Sequence, residues 1–246
     1  MNIALAGRTV LVLVVFSHSI FLMAQGHLFA GLVENLLLMS FLLYGTLNPG
    51  SRLFGPVQRK VDEGFWLTID DGPDPGDTPV ILDLLDQYET KAAFFLIGEK
   101  AAKYPDLVRE IRKRGHQIGN HTWSHPQTSF WAAGPIRTSR EIKKCQDLLT
   151  EILGEAPTLF RAPVGHRNFF VHPILRVLNL RLIGWSARGF DAVSTDSQEV
   201  LEKINGSLGE GSIVLAHEAT AIAPEVIEGI LKLLQTYDEP VVGTGS

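Results

Sequence analysis

From residue 61 onward, short apolar segments rich in strand-forming residues alternate with amphipathic helical ones, and this alternation constrains the fold more than any other feature. Segments 65–69, 92–96, 117–120, 158–160, 180–185 and 212–216 read as strands, with 241–242 as a final short one. Segments 79–88, 107–114, 136–153, 172–178, 198–208 and 224–237 read as helices, two of them stopping at Gly115 and Gly154 as helix C-termini commonly do. Strand, helix, strand at this spacing predicts parallel βαβ units. About seven such units suit a distorted (β/α) barrel better than an open sheet. Six polar residues, Asp70, Asp71, His121, Arg161, Asp191 and His217, each fall at or just after the end of a predicted strand. In a barrel, that rim is where catalytic groups gather.

The first 48 residues differ sharply. Segment 9–24 is mostly Leu, Val, Phe and Ile, and 28–47 is a second apolar run interrupted by Glu34 and Asn35. A membrane-spanning helix needs roughly 20 apolar residues, so two short helices in a membrane hairpin is the preferred expectation and a single signal-anchor the next. Two buried soluble helices would also satisfy the pattern. A cleaved signal peptide fits less well, because apolar residues continue past any early cleavage point. Arg8 precedes the first run, Arg52, Arg59 and Lys60 follow the second, and the connection Gln25-Gly26-His27 has neither Lys nor Arg. By the positive-inside rule a hairpin puts the main domain in the cytoplasm, at an inner membrane; a single span puts it outside. The expected organisation is therefore a hairpin at 1–48, a linker at 49–62 opening on Asn48-Pro49-Gly50-Ser51, and a catalytic domain at 63–246.

Other classes are disfavoured. A formal net charge of −5 argues against a nucleic-acid partner, which usually calls for a basic patch. Cys145 is the only cysteine, which rules out an intramolecular disulfide; its helical setting reads as structural or surface.

The strand 65–69 ends abruptly in Asp70-Asp71-Gly72-Pro73. Successive strand residues point to opposite sides, so the two carboxylates can serve different jobs, although an Asp pair in a turn also suits helix capping. Crowded carboxylates repel, and a cation relieves that repulsion. His121 and His125 stand at i and i+4, where a helical turn would aim both imidazoles one way; exposed pairs at this spacing are common too. With Asp71 they make a two-His, one-carboxylate set with room for water, which is a catalytic zinc set, and Asp70 could take the water's proton. The same ligand count describes non-haem iron oxygenases, but that reading leaves Asp70 and His217 without a role.

TIDDGP (68–73), HTWSH (121–125), RAPVG (161–165) and LAH (215–217), in this order and spacing, resemble the polysaccharide deacetylase family, the NodB-homology domain. The likeness covers roughly 65–242. It implies a distorted (β/α) barrel and metal-dependent removal of an acyl group from a sugar. By that resemblance Asp70 is the general base, and Asp71, His121 and His125 hold a divalent metal, usually Zn2+. His217 is the general acid, Leu215 lines the acyl pocket, Arg161 orients Asp70, and Asp191 fixes His217 or Arg161. A backbone N–H near Val164 would help the metal stabilise the oxyanion.

Two departures bear on the substrate. The family commonly has an aromatic where this chain has Val164, and Asp-x-x-Asp-Trp where it reads Arg188-Gly189-Phe190-Asp191-Ala192. Fewer aromatic walls weaken the case for a polymer such as chitin. Arg188, near the rim, would suit a phosphate or carboxylate on the substrate, and Trp185 is a further substrate-binding candidate. With the membrane segment, this points to an amino sugar on a lipid-linked glycan or glycolipid. A non-catalytic glycan-binding barrel and a deacylase of a non-sugar amide are the competing expectations. The oligomeric state is not legible.

Overall fold

The computed structural model describes residues 3–237 and 240–242, with side chains from residue 11. The Arg8 side chain and the outer domain limits at 1 and 246 lie outside the described residues.

Two long helices come first, α1 (Ile3–Ala24) and α2 (Leu28–Leu47), joined by a tight turn with Gly26 at φ 87°. They fold back on each other. Gly31 permits the approach, because a Cβ there would lie 2.7 Å from the Ser19 carbonyl oxygen. The polar interruptions of the apolar run are satisfied locally. Glu34 pairs with His18 Nδ1 at 3.1 Å, and Asn35 donates to the Gly31 carbonyl at 3.1 Å. The outer face stays apolar and uncovered, with Phe29 81% and Leu36 70% exposed. By length and composition α2 can cross a membrane, while the apolar stretch in α1, Leu11–Ala24, is shorter.

The remaining elements are β1 (Trp66–Gly72), α3 (Asp77–Gln87), β2 (Ala93–Leu96), α4 (Gly98–Lys103), α5 (Pro105–Lys113), β3 (Gln117–Asn120), α6 (Pro135–Leu153), β4 (Leu159–Phe160), α7 (Val171–Val177), β5 (Arg181–Leu182), β6 (Ala187–Arg188), α8 (Ser197–Asn205), β7 (Ile213–His217) and α9 (Ala223–Leu234). The strands form one parallel sheet in the order β5-β4-β3-β2-β1-β7-β6, curled into a half-barrel. Its edge strands β5 and β6 are separated by only residues 183–186, too short a span to join the ends of a flat sheet. The distorted barrel expected from the alternation is thus the fold, and its seventh strand is β6. That strand was missed because the apolar run 180–185 is not one strand. The run leaves β4 after Leu182, crosses the opening, and pairs with β7 at Ala187 and Arg188.

The segment expected as a linker is instead part of the barrel. Gln58 bridges to Ile183, its N–H donating to the Leu182 carbonyl and its own carbonyl accepting from Gly184 N–H, while Val61 N–H bonds the Gly211 carbonyl. Phe54, Val57 and Val61 are buried. Pro49 and Gly50 punctuate the chain, but the residues after them carry apolar side chains that the barrel opening needs. Helix α4 was also missed: at six residues it is too short for periodicity to reveal.

Strand alternation sets two layers. On β1, Leu67 and Ile69 face the helices with Ile81, Leu85, Val226 and Ile230, whereas Trp66 packs inside the barrel with Phe95, Ile183 and Leu215. Thr68 and Asp70 follow Trp66 in the period-two register, so the inner face of β1 becomes polar towards its C-terminal end. Both are buried, and each has a partner there.

Candidate active site

Asp70 sits 3% exposed at that end, its Oδ1 accepting from Arg161 Nη1 at 2.7 Å. Arg161 follows β4 and is 1% exposed. Its other donors go to Thr68 Oγ1, the Ile183 carbonyl and the Gly184 carbonyl, and its guanidinium lies 4.2 Å from the Phe95 ring centre. A buried guanidinium with its hydrogen bonds made is a fixed anchor, and here it fixes the rotamer of Asp70.

Asp71 does not point to the opposite side, as simple alternation predicts. It takes φ 72°, and the β1–β2 register shifts between Asp70 and Gly72. This bulge turns both carboxylates towards one cavity. The His121–His125 segment is likewise a loop and not a helical turn, with Thr122 at φ 68° and His125 at φ 47°. Side chains hold it: Asn120 Oδ1 accepts from Thr122 N–H, and Glu141 accepts from Ser124 N–H and Oγ. The imidazoles converge for a different reason than helix spacing.

Their convergence fits a metal ion. Asp71 Oδ1 lies 3.5 Å from His121 Nε2 and 3.3 Å from His125 Nε2, and the three ligand atoms all fall within 4.8 Å of one another. Tetrahedral zinc with bonds of about 2.0–2.1 Å separates its ligand atoms by roughly 3.3 Å. Asp71 Oδ1 is buried and has no hydrogen-bond donor of its own. His121 Nδ1 bonds the Arg161 carbonyl at 2.8 Å, the outer contact that orients a ligating imidazole and leaves Nε2 free for a metal. Burial pulls His125 down to about 4, helped by the neighbouring His121 charge, so it is a neutral imidazole at physiological pH. Burial would raise Asp71, but His121 and His125 hold it well below the usual carboxylate range.

Opposite stands His217, at the end of β7. Its ring Nδ1 bonds Asp191 Oδ1 at 2.9 Å and its backbone N–H donates to Asp191 Oδ2 at 2.7 Å. Asp191 is 1% exposed, so both oxygens of a buried carboxylate are committed to one residue. Of the two partners expected for Asp191, this is His217 and not Arg161. Burial opposes protonation of His217, yet Asp191 overrides it and lifts the imidazole to about 9.

Asp70, Asp71, His121, His125, Val164, Trp185, Arg188, Asp191, Leu215 and His217 line one cavity of about 440 Å3. Arg161 lies behind it. Cys145 is buried against the Leu96 carbonyl, and burial pushes its thiol up to about 12, so it is structural.

Three contributors were not legible. Phe190 takes φ 67°, is 45% exposed, and lies 4.0 Å under the Arg188 guanidinium, so it restores an aromatic wall where Val164 and Ala192 had suggested loss. A Phe following Gly189 at a strand end was the available signal. Lys100, on the unforeseen helix α4, donates to the Asp71 carbonyl at 2.6 Å. Glu218 is buried beside Gly72, where a Cβ would collide with it; burial raises its carboxyl to about 8, and Thr78 donates to it.

The sequence profile described as "Polysaccharide deacetylase" matches residues 58–183. A peptidoglycan-N-acetylglucosamine deacetylase of Bacillus cereus is 36% identical over 61% of this chain and 54% of its own length. A chitooligosaccharide deacetylase of Azorhizobium caulinodans is 32% identical over 63% of this chain and 73% of its own. The solved structure of the peptidoglycan deacetylase PdaC from Bacillus subtilis superposes with a TM-score of 0.65 at 28% identity, covering 71% of this chain and 84% of that one. This chain thus spans about half the length of the Bacillus cereus relative.

Proposed function

Because the chain belongs to the polysaccharide deacetylase family, we propose that it is a metal-dependent hydrolase that removes an N-acetyl group from an amino sugar. One observation carries this reading: Asp71, His121 and His125 converge beside an Asp70 held by Arg161, with His217 across the same cavity. A divalent cation held by those three residues, most simply Zn2+, would acidify a water and polarise the acyl oxygen. Asp70 accepts the proton of the attacking water. Its Oδ1 is occupied by Arg161, which leaves Oδ2, 3.6 Å from His121 Nε2, as the basic atom. His217, charged through Asp191, delivers a proton to the departing amine, without which an amide nitrogen is a poor leaving group. Leu215 and Trp185 give the acyl methyl an apolar wall, and Phe190 offers a face for the sugar ring.

The apolar hairpin and the cationic rim favour a membrane setting and a lipid-linked glycan or glycolipid as substrate. With Arg52, Arg59 and Lys60 after α2 and no Lys or Arg in the turn, the catalytic domain faces the cytoplasm. A reporter that works only when exported, fused after Ser246, should therefore stay silent; an active one would overturn this orientation. For the chemistry, metal-loaded protein should release acetate from short N-acetylglucosamine oligomers. Protein that binds such oligomers at one metal per chain yet releases no acetate would identify a non-catalytic glycan-binding barrel instead.

A further inference from the structure

A second cavity, of about 540 Å3, adjoins the first and shares Trp185, Arg188 and Phe190 with it. The two differ in charge. The catalytic cavity is lined by four carboxylates, Asp70, Asp71, Asp191 and Glu218. The second is lined by Arg59, Arg188 and Lys203 and by no Asp or Glu; its other walls are Ser186, Gly206 and Ser207 on one side and Asn48, Pro49 and Gly50, where α2 ends, on the other. We infer that this cavity is a phosphate subsite, so that the sugar reaching the metal centre carries a phosphate ester held at the foot of the apolar hairpin. The inference rests on the deacetylase reading for the identity of the sugar, but the subsite can be tested without it.

Three observations support it. First, among the described residues Arg59, Arg167 and Arg188 form no ion pair, and Lys203 has only the exposed Glu199 on its own helix. Second, Arg59 and Arg188 are each fixed at this cavity through Trp185. Arg59 Nε donates to the Trp185 carbonyl at 2.9 Å, which leaves its terminal nitrogens free; Nη1 lies against Gly50, where a Cβ would be 2.7 Å away. Arg188 is stacked between Trp185 and Phe190. Third, a further guanidinium stands behind them. Arg167 is 2% exposed, donates to the Asn48 carbonyl, and has an Nε with no partner. Its ionisation is pulled down to about 10, first by burial and then by the Arg59 charge. Uncompensated like charges destabilise a fold, and a bound phosphate ester, anionic and with several acceptor oxygens, relieves that repulsion. The position favours a lipid source for the anion: the cavity shares Trp185, Arg188 and Phe190 with the catalytic cavity and is closed by Asn48, Pro49 and Gly50, which directly follow the helix long enough to span a bilayer.

The test uses the full chain in detergent, metal-loaded, with three N-acetylglucosamine substrates: a neutral oligomer, the 1-phosphate, and a polyprenyl-phosphate-linked form. Arg59→Gln should lower the kcat/KM preference for phosphate-bearing over neutral substrate about tenfold, through KM, the loss of one charge-assisted contact. Lys203→Gln, which removes the Glu199 ion pair and a 5.7 Å contact over the Phe190 ring but no hydrogen bond to the barrel, should do the same to a lesser degree, and Arg59→Lys should recover most of the preference. A lower KM for the lipid-linked form than for the 1-phosphate would assign the phosphate to a lipid carrier; equal values would assign it to a soluble sugar phosphate. A preference unchanged by both Arg59→Gln and Lys203→Gln overturns the subsite. If no substrate is turned over, the deacetylase reading fails alone, and calorimetry with inorganic pyrophosphate still decides the subsite. Wild type binding it about tenfold more tightly than Arg59→Gln supports the site; equal or absent binding rejects it.

Discussion

Asp70→Asn is expected to lower acetate release by about 10³-fold, within the range for loss of a general base, while the protein keeps one bound metal. The amide matches the carboxylate in shape and can still accept from Arg161, but its nitrogen and carbonyl cannot take a proton from water. Arg161 keeps three other acceptors, Thr68 Oγ1 and the carbonyls of Ile183 and Gly184, so its guanidinium stays in place. Asp70 is also the wrong residue to hold the ion: the oxygen nearest both imidazoles is Asp71 Oδ1. The contrasting variants are Asp71→Ala and His125→Ala, each of which should lose metal and turnover together. Metal content by atomic absorption, set beside turnover, separates the two roles. Metal loss in Asp70→Asn would make Asp70 a ligand and leave the mechanism without its base.

Asp191→Asn should move the alkaline limb of the kcat/KM profile to lower pH by one unit or more. Asp191 is a positioning residue that acts through His217, and it supplies the charge that lifts the imidazole to about 9 against the pull of burial. With a neutral amide in its place, burial prevails and the imidazole loses its proton nearer neutrality. A bound dication lowers the limb in both proteins, so the comparison is made at equal metal loading. Stability follows the same sign. A histidine raised above its ordinary value near 6.5 contributes stabilisation that is fully present below that value and is lost as pH rises through about 9. The His217–Asp191 contribution should therefore be largest in acid and fade across that window. A variant with reduced rate but an unmoved limb would show that Asp191 only shapes the loop.

Much of the candidate site was legible because its residues are adjacent to strand ends. Asp70, Asp71, His121, Arg161, Asp191 and His217 were found from the alternation of apolar and polar segments, and the structure brings all six together. For two pairs, Asp70 with Asp71 and His121 with His125, the regular backbone pattern does not give the observed geometry. Period-two alternation sends Asp70 and Asp71 apart, but a bulge with a positive φ reunites them. Helical spacing was invoked for His121 and His125, whereas a loop pinned by Asn120 and Glu141 aims them. Local pattern reports the regular backbone, and these sites depend on departures from it.

Other features had no local signal. Two-residue strands such as β6 have no periodicity to read. Segment 49–62 reads as a linker because its apolar residues are isolated in sequence; they become core only when the barrel opening is placed over them. The strand-and-helix order, the polar strand ends and the two apolar N-terminal runs were written in the chain, since each depends on neighbours within a few residues. Which carboxylate faces which imidazole, that Asp191 serves His217, and that Arg59 stands beside Arg188 were settled by the curl of the sheet. Those contacts join residues about 26 to 130 positions apart, and chain proximity cannot specify contacts at that range.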